Sequence, residues 1–126
     1  MTPVDQLLAM QTWAVVGLSD NRSRHAWGVA QFLQSQGRRI VPVHPSAVQV
    51  HGETGYARLA DIPFPVDVVD CFVRSELVGP VVDEAIAIGA KGVWMQQDVI
   101  DVRAAERAEA AGLIVVMDRC PKIEWR

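Results

Sequence analysis

The sequence predicts an α/β fold in which helices cover both faces of one parallel sheet. Short, almost continuously apolar segments alternate along the chain with longer segments whose apolar residues recur at helical spacing. Strands of a parallel sheet that is covered on both faces have this continuous apolar character. The 126 residues suit one domain with one sizeable core, so residues 1–126 are predicted to form a single domain.

The predicted elements follow one another as in a doubly wound, Rossmann-like sheet of about five strands. A short N-terminal helix lies within residues 1–12, with Thr2 as its N-cap and Pro3 at its first position. Helices are predicted near residues 26–37, 75–88 and 101–111. The five strands are predicted at residues 13–16, 40–43, 66–73, 92–95 and 113–117.

Three segments depart from the regular alternation of strands and helices. Pro80 is expected in the first turn of its helix, or that helix begins later than Ser75, because proline lacks an amide hydrogen. Residues 46–65 form an irregular connection with one helical turn near Arg58, and a connection of this length is often functional. Residues 118–126 are expected to be a polar C-terminal tail.

Composition and charge exclude several classes of protein. The net charge of −3 gives no broad electrostatic attraction for nucleic acid. The chain has no signal peptide pattern and no apolar run of the roughly 20 residues that span a membrane. Its two cysteines, Cys71 and Cys120, do not form a disulfide framework. We expect a cytoplasmic protein without a nucleic-acid or membrane partner.

The loop after the first strand is the first candidate site, because ligands of such sheets bind at the carboxyl ends of the strands. Free amide groups at the start of the following helix favour a phosphate there. Glycine allows a tight turn, hydroxyl and amide side chains offer hydrogen bonds, and arginine binds phosphate with two donors. The candidate residues of this loop are Gly17, Leu18, Ser19, Asn21, Arg22 and Arg24.

A dinucleotide site of the usual kind is the weaker interpretation. Leu18 and Ser19 follow Gly17, so the loop is not Gly-x-Gly-x-x-Gly, and His44 stands where a ribose-binding carboxylate would end the second strand. An NADP enzyme would need Arg38 or Arg39 for the 2′-phosphate, but these residues begin the second strand and are expected at the far edge of the sheet.

Other residues that could suggest a functional site are more typical of structural roles. Asp67 and Asp70 lie three apart in a strand and therefore point to opposite faces. His44 and His51 have no partner at metal-ligand spacing. Cys120 is more simply a partly buried free cysteine than a reactive thiol. The sequence contains no Gly-x-Ser-x-Gly, P-loop or Cys-x-x-Cys motif, and the four tryptophans are expected mainly to pack, although Trp27 could flank a base.

Five blocks together resemble a known family in their order and spacing. The chain is similar, over about residues 10–124, to small stand-alone CoA-binding domain proteins, which resemble the N-terminal CoA-binding domain of the succinyl-CoA synthetase α subunit. The blocks are AVVGLSDN at 14–21, VPVHP at 41–45, VDVVD at 66–70, GVWMQ at 92–96 and VMDRC at 116–120.

This resemblance implies that the first loop and the turn after the second strand bind the nucleotide and diphosphate of CoA. To the loop residues it adds Val43, His44 and Pro45 in that turn, Val73 and Arg74 after the third strand, and Gln96 after the fourth. Two positions depart from the family pattern. His44 replaces the commoner Asn, and Asp98 stands where Gly is usual and places a carboxylate near the mouth of the site.

The expected function is binding of coenzyme A or an acyl-CoA, without catalysis. Anionic CoA suits a loop that concentrates arginines in an otherwise acidic chain. The alternatives are an enzyme that uses NADP or another nucleotide, and a regulatory module that docks a ligase-like protein partner through an exposed apolar patch that includes Trp125.

Overall fold

A computed structural model describes residues 1–126 and contains one sheet of five strands, all parallel. The α/β prediction is therefore confirmed. The strands are β1 (Thr12–Val16), β2 (Arg39–Val43), β3 (Val68–Cys71), β4 (Gly92–Met95) and β5 (Ile114–Val116).

Five helices alternate with or flank these strands. Thr2 starts the first helix as predicted, because its hydroxyl oxygen accepts the backbone N–H of Asp5 at 3.1 Å. Asp101 starts the fourth in the same way and accepts the N–H of Ala104 at 3.0 Å. The helices are α1 (Pro3–Leu8), α2 (His25–Ser35), α3 (Ser75–Ala87), α4 (Val102–Ala110) and α5 (Pro121–Glu124).

The strand order is β2-β1-β3-β4-β5. Strand β2 therefore lies on one side of β1 and the later strands lie on the other, which makes the boundary between β1 and β3 the switch point of the sheet. Val16 is in register with Val43 on one side and with Cys71 on the other. The carboxyl ends of these three strands therefore end at the same level. An open α/β sheet binds its ligand beside such a switch point.

The sheet divides the core into two apolar layers. On one face, Trp13 and Trp94 are fully buried and their rings lie 5.7 Å apart, under α1, α2 and α5. On the other face, Val69 and Met95 pack among the buried residues of α3 and α4. No helix of the protein is both long and apolar enough to cross a membrane.

Pro80 is not where the sequence predicts it. Helix α3 begins at Ser75 and Pro80 is its sixth residue. A proline there costs the helix one hydrogen bond to a carbonyl one turn earlier, but Val78 and Val82 are fully buried against the sheet. Tertiary packing of this apolar face holds the helix continuous through the proline.

The end of the chain is also more ordered than the predicted polar tail. Pro121 begins helix α5, at a position that proline favours. The ring of Trp125 then packs edge-on against Phe32 with centroids 5.5 Å apart, and the guanidinium of Arg38 lies 5.0 Å from the centre of the same ring. These contacts fix residues 121–125 on the α2 side of the sheet.

The long connection 46–65 returns to the end of β2. The N–H of Tyr56 donates to the carbonyl of Pro42 at 2.9 Å, and the N–H of His44 donates to the carbonyl of Tyr56 at 3.0 Å. A single 3-10 turn follows at Leu59–Asp61, one residue later than the predicted turn. The pairing brings residues 57 and 58 back to the carboxyl end of the sheet.

Candidate functional site

A cavity of about 950 Å³ lies at the carboxyl ends of the strands, at the switch point between β1 and β3. Its walls come from the ends of β1 to β4, the first turn of α2, one face of α3 and the connection after β2. This volume is near the upper end of the range of small-molecule sites, which is about 300 to 1,000 Å³. The cavity therefore has room for a ligand of nucleotide size.

Gly17 directly follows β1 on the cavity wall, where only glycine fits. Its φ of +99° lies in the left-handed region, and a Cβ atom at this position would overlap the backbone carbonyl of Phe72. The close approach joins the ends of β1 and β3 at the switch point. It also leaves the backbone of the loop open to a ligand.

Arg24 occupies the N-cap position of α2 and lines the cavity. Arginine has no acceptor for the first amides of a helix, and no side chain caps α2, whereas α1 and α4 have capping side chains. Arg24 also has no carboxylate within ion-pair distance. Free amides, the helix dipole and an unpaired guanidinium thus combine at this end of the cavity.

The structure brings eight of the twelve predicted site residues to the cavity wall and leaves the other four away from it. The eight that line it are Gly17, Arg24, Val43, His44, Pro45, Val73, Arg74 and Gln96. Leu18 is fully buried in the core, so its side chain is not available to a ligand. Asn21 and Arg22 lie in the exposed part of the loop, and Ser19, which is half-buried, lies just before it.

Side-chain hydrogen bonds shape that exposed part of the loop. Oδ1 of Asn21 accepts the N–H of Ser23 at 3.0 Å and its hydroxyl at 2.6 Å, and Oγ of Ser19 accepts the N–H of Asn21 at 3.3 Å. The guanidinium of Arg22 lies 5.4 Å from the centre of the Trp27 ring. These residues set the path of the backbone that ends in Arg24.

His44 follows β2 on the opposite side of β1 from β3. Its Nδ1 accepts the backbone N–H of Ser46 at 3.1 Å, and the hydroxyl of Ser46 lies 2.8 Å from the same nitrogen. Because an amide N–H can only donate, Nδ1 is an acceptor in this contact and carries no hydrogen. The remaining nitrogen, Nε2, then carries a hydrogen and is a donor for a ligand.

Arg74 follows β3 and is the N-cap residue of α3, again without a side-chain cap. Nε of Arg74 lies 3.4 Å from a carboxylate oxygen of Glu76, and both side chains are exposed. An exposed pair of this kind is worth little. Unlike Arg24, Arg74 therefore has a carboxylate within ion-pair distance.

Gln96 lies after β4 and is only 4% exposed although it lines the cavity. Its Oε1 has no hydrogen-bond partner, and neither carboxylate oxygen of Asp70, in the neighbouring strand, has one. Burial raises the pKa of Asp70 well above its usual range, and burial, with the nearby Asp70, also raises the pKa of the Cys71 thiol. A protonated Asp70 is the form that this apolar environment favours.

Asp98 lines the mouth of the cavity as the sequence predicts. It has a φ of +69°, and Asp118 in the loop after β5 has a φ of +60°. The N–H of Asp98 donates to Oδ1 of Asp118 at 2.7 Å. The two aspartates thus hold left-handed turns that glycine would adopt without strain.

Several cavity residues were not predicted from the sequence. Arg58 comes from the long connection, whose length was the one signal for it. Leu77, Val81 and Glu84 come from α3, spaced so that they share one face of the helix. Nothing in the sequence says that this face turns toward the strand ends, because that depends on how α3 crosses the sheet.

The other charged residues that the sequence analysis considered lie outside the cavity. Arg38 donates two hydrogen bonds to the carbonyl of Leu8, the shorter of 2.6 Å, and Arg39 stacks on Phe64, so neither lines the cavity. Asp67 accepts the N–H of Thr12 at 2.9 Å. Three or more His, Cys, Asp or Glu side chains that could hold a metal ion do not come together anywhere in the protein.

Comparisons with known proteins agree with this architecture. The chain is 34% identical over 110 residues to the uncharacterized protein YneT of Bacillus subtilis (strain 168), covering 87% of this chain and 82% of that one. A hypothetical protein from Pyrococcus horikoshii OT3 superposes with a TM-score of 0.92 at 35% identity, over 98% of this chain and 89% of the other.

A larger protein contains the same fold. The dinucleotide-forming acetyl-coenzyme A synthetase 1 of Ca. Korarchaeum cryptofilum matches with a TM-score of 0.79 at 24% identity, over 91% of this chain and 28% of the synthetase chain. At this identity the likeness concerns the fold alone. A family model described as CoA binding domain matches residues 11–126, and the chain therefore belongs to the CoA binding domain family.

Proposed function

We propose that this protein binds coenzyme A or an acyl-CoA thioester in the cavity at the switch point, without a catalytic activity of its own. The observation that carries the proposal is the uncapped N-terminus of α2, which opens on the cavity beside the unpaired Arg24. A diphosphate is the part of CoA that such a terminus favours. Membership of the CoA binding domain family supports the same ligand.

The end of β2 supports CoA over NAD. His44 and Pro45 occupy the place of the carboxylate that holds an unmodified ribose. The ribose of CoA carries a 3′-phosphate, which a carboxylate would repel. No observation favours NADP, because Arg38 and Arg39 are both engaged away from the cavity.

A docking module for a protein partner has less support. That alternative relied on an exposed patch that includes Trp125, but this residue is half-buried and packs against Phe32 and Arg38. Its ring contributes to the attachment of the C-terminal segment. The proposal therefore concerns a small-molecule ligand.

Calorimetric titration of ligand-free protein with CoA, with NADP as comparator, tests the proposal. We expect one saturable site for CoA, weakened at least about tenfold in Arg24→Gln, since a hydrogen bond to a charged group contributes about 1.5 to 3 kcal/mol. Arg103→Gln is the matched control, because Arg103 is an exposed arginine of α4 outside the cavity. Folded wild-type protein that binds no CoA, or binds NADP more tightly, would overturn the proposal.

A further inference from the structure

The cavity has two chemically different halves. The half beside α2 contains Gly17, Arg24 and His44, which offer backbone amides, an unpaired positive charge and a ring N–H donor. The half beside α3 contains the apolar side chains of Leu77 and Val81, with Arg74 where the helix begins. A ligand that fills both halves must therefore have an anionic part and an apolar part.

The apolar half is exposed to solvent. Leu77 lines it and is 50% exposed, one of five large apolar residues in the chain with exposure of this order. Leu77 and Val81 are four residues apart on α3, so they form one continuous stripe on the helix. Covering this stripe with an apolar group removes hydrocarbon surface from water on both sides of the contact.

An ion pair lies at the far end of the stripe. Glu84 is seven residues after Leu77, about 10 Å further along the helix. One of its oxygens lies 3.1 Å from Nη2 of Arg58, and the other accepts the N–H of Leu59 at 3.1 Å. This pair attaches the connection after β2 to α3 and limits the length of the apolar half.

We infer that the α3 half of the cavity binds an aliphatic acyl group of a CoA thioester, which lies along Leu77 and Val81 and extends no further than the Arg58–Glu84 pair. The inference rests on the proposed function, which assigns the diphosphate to the α2 half. Beyond its diphosphate, CoA continues as an uncharged arm that ends in the thiol. An acyl group on that thiol would be the apolar part of the ligand that covers Leu77 and Val81.

The test is a calorimetric series with CoA and its acetyl, butyryl, hexanoyl and octanoyl thioesters. For wild-type protein we expect affinity to increase with chain length by up to about fourfold per methylene group, the factor for complete removal of CH₂ from water, and then to stop increasing. Leu77→Asn should flatten this slope. Val102→Asn, a change of similar exposure in the first turn of α4 and outside the cavity, should keep the wild-type slope.

Each contrary result has a distinct meaning. Equal affinity for CoA and every thioester would overturn the inference and leave CoA binding intact. If Leu77→Asn weakened CoA and all thioesters by one factor, a part shared by all five ligands, the nucleoside or the uncharged arm, would lie against α3 in place of the acyl group, and the inference would also be overturned. Wild-type protein that binds none of the five ligands would remove the proposed function together with this inference.

Discussion

His44 and Ser46 form a small turn at the end of β2, in which Nδ1 of the histidine accepts the backbone N–H of Ser46 at 3.1 Å. An asparagine at position 44 could accept the same N–H with its side-chain oxygen. Its amide nitrogen would then offer two donor hydrogens, where the ring Nε2–H of His44 offers one. His44 thus supplies the same two hydrogen-bonding functions that an asparagine at this position would supply.

This equivalence predicts that His44→Asn retains CoA binding, with a dissociation constant within about threefold of the wild-type value. His44→Ala should weaken binding about fivefold, because a net hydrogen bond contributes about 1 kcal/mol. Titration of both variants with CoA makes the comparison. If the asparagine variant were as weak as the alanine variant, the imidazole ring itself, through its size or stacking, would be the important feature.

Replacing Asp98 by glycine is expected to increase both the stability of the protein and its affinity for CoA. Asp98→Gly should increase the free energy of unfolding by about 0.5 to 1 kcal/mol, because glycine adopts the left-handed region without strain. It should also strengthen CoA binding, because it removes a negative charge from the mouth of the cavity. Urea unfolding and calorimetric titration measure the two effects separately.

Asp98→Asn separates charge from backbone strain. Asparagine also tolerates a positive φ, so this variant should gain affinity for CoA with little change in stability. Affinity that increases only in the glycine variant would assign the effect to loop conformation. No gain in either variant would mean that the carboxylate lies too far from the bound anion to act on it.

The positions of the strands were predictable because the parallel sheet is buried on both faces, which makes each strand continuously apolar. Val15 and Val69 illustrate this: both are fully buried in central strands. Helix caps were predictable from local chemistry at Thr2 and Asp101. The candidate loop followed from topology, since the first βα loop of such a sheet must lie at the switch point.

The parts that were not predictable depend on contacts between distant segments. Leu77 lines the cavity because α3 crosses the sheet at one particular angle, and Arg58 does so because Tyr56 pairs with β2. Pro80 lies inside α3 because burial of neighbouring valines offsets one missing hydrogen bond. Leu18 follows the loop glycine but turns into the core. None of these outcomes is contained in residue type or spacing alone.

Replacing Gly17 by alanine is expected to cause a large loss of stability, although it adds only one methyl group. Gly17→Ala should lower the free energy of unfolding by at least about 2 kcal/mol, because a Cβ atom there both overlaps the Phe72 carbonyl and adopts a φ of +99°. Gly28→Ala is the matched control: Gly28 lies within α2, and a Cβ there meets nothing within 4 Å.

The control should gain about 0.5 to 1 kcal/mol, the usual advantage of alanine over glycine inside a helix. Urea unfolding followed by tryptophan fluorescence measures both values. A Gly17→Ala protein as stable as wild type would show that β1 and β3 can separate at their ends. The joined strand ends would then not be a fixed wall of the cavity.

Asp70 predicts how stability depends on pH. Well below about pH 4 both the folded and the unfolded chain hold the proton of this carboxyl. At higher pH the unfolded chain releases it, while the buried native carboxyl, whose pKa is raised, keeps it. Asp70 therefore lowers stability progressively as pH increases from about 4 toward its native pKa, by about 1.4 kcal/mol for each unit of difference between the two pKa values.

Asp70→Asn removes the ionisable group but keeps its shape, so the loss of stability between pH 4.5 and 7.5 should be smaller in this variant than in the wild type. Urea unfolding at both pH values gives the difference, and Asp20→Asn, at an exposed aspartate, controls for the loss of a surface charge. If Asp70→Asn and the wild type lost the same stability over this range, Asp70 would be ionised in the native protein. An internal water or a cation would then have to compensate its charge in the core.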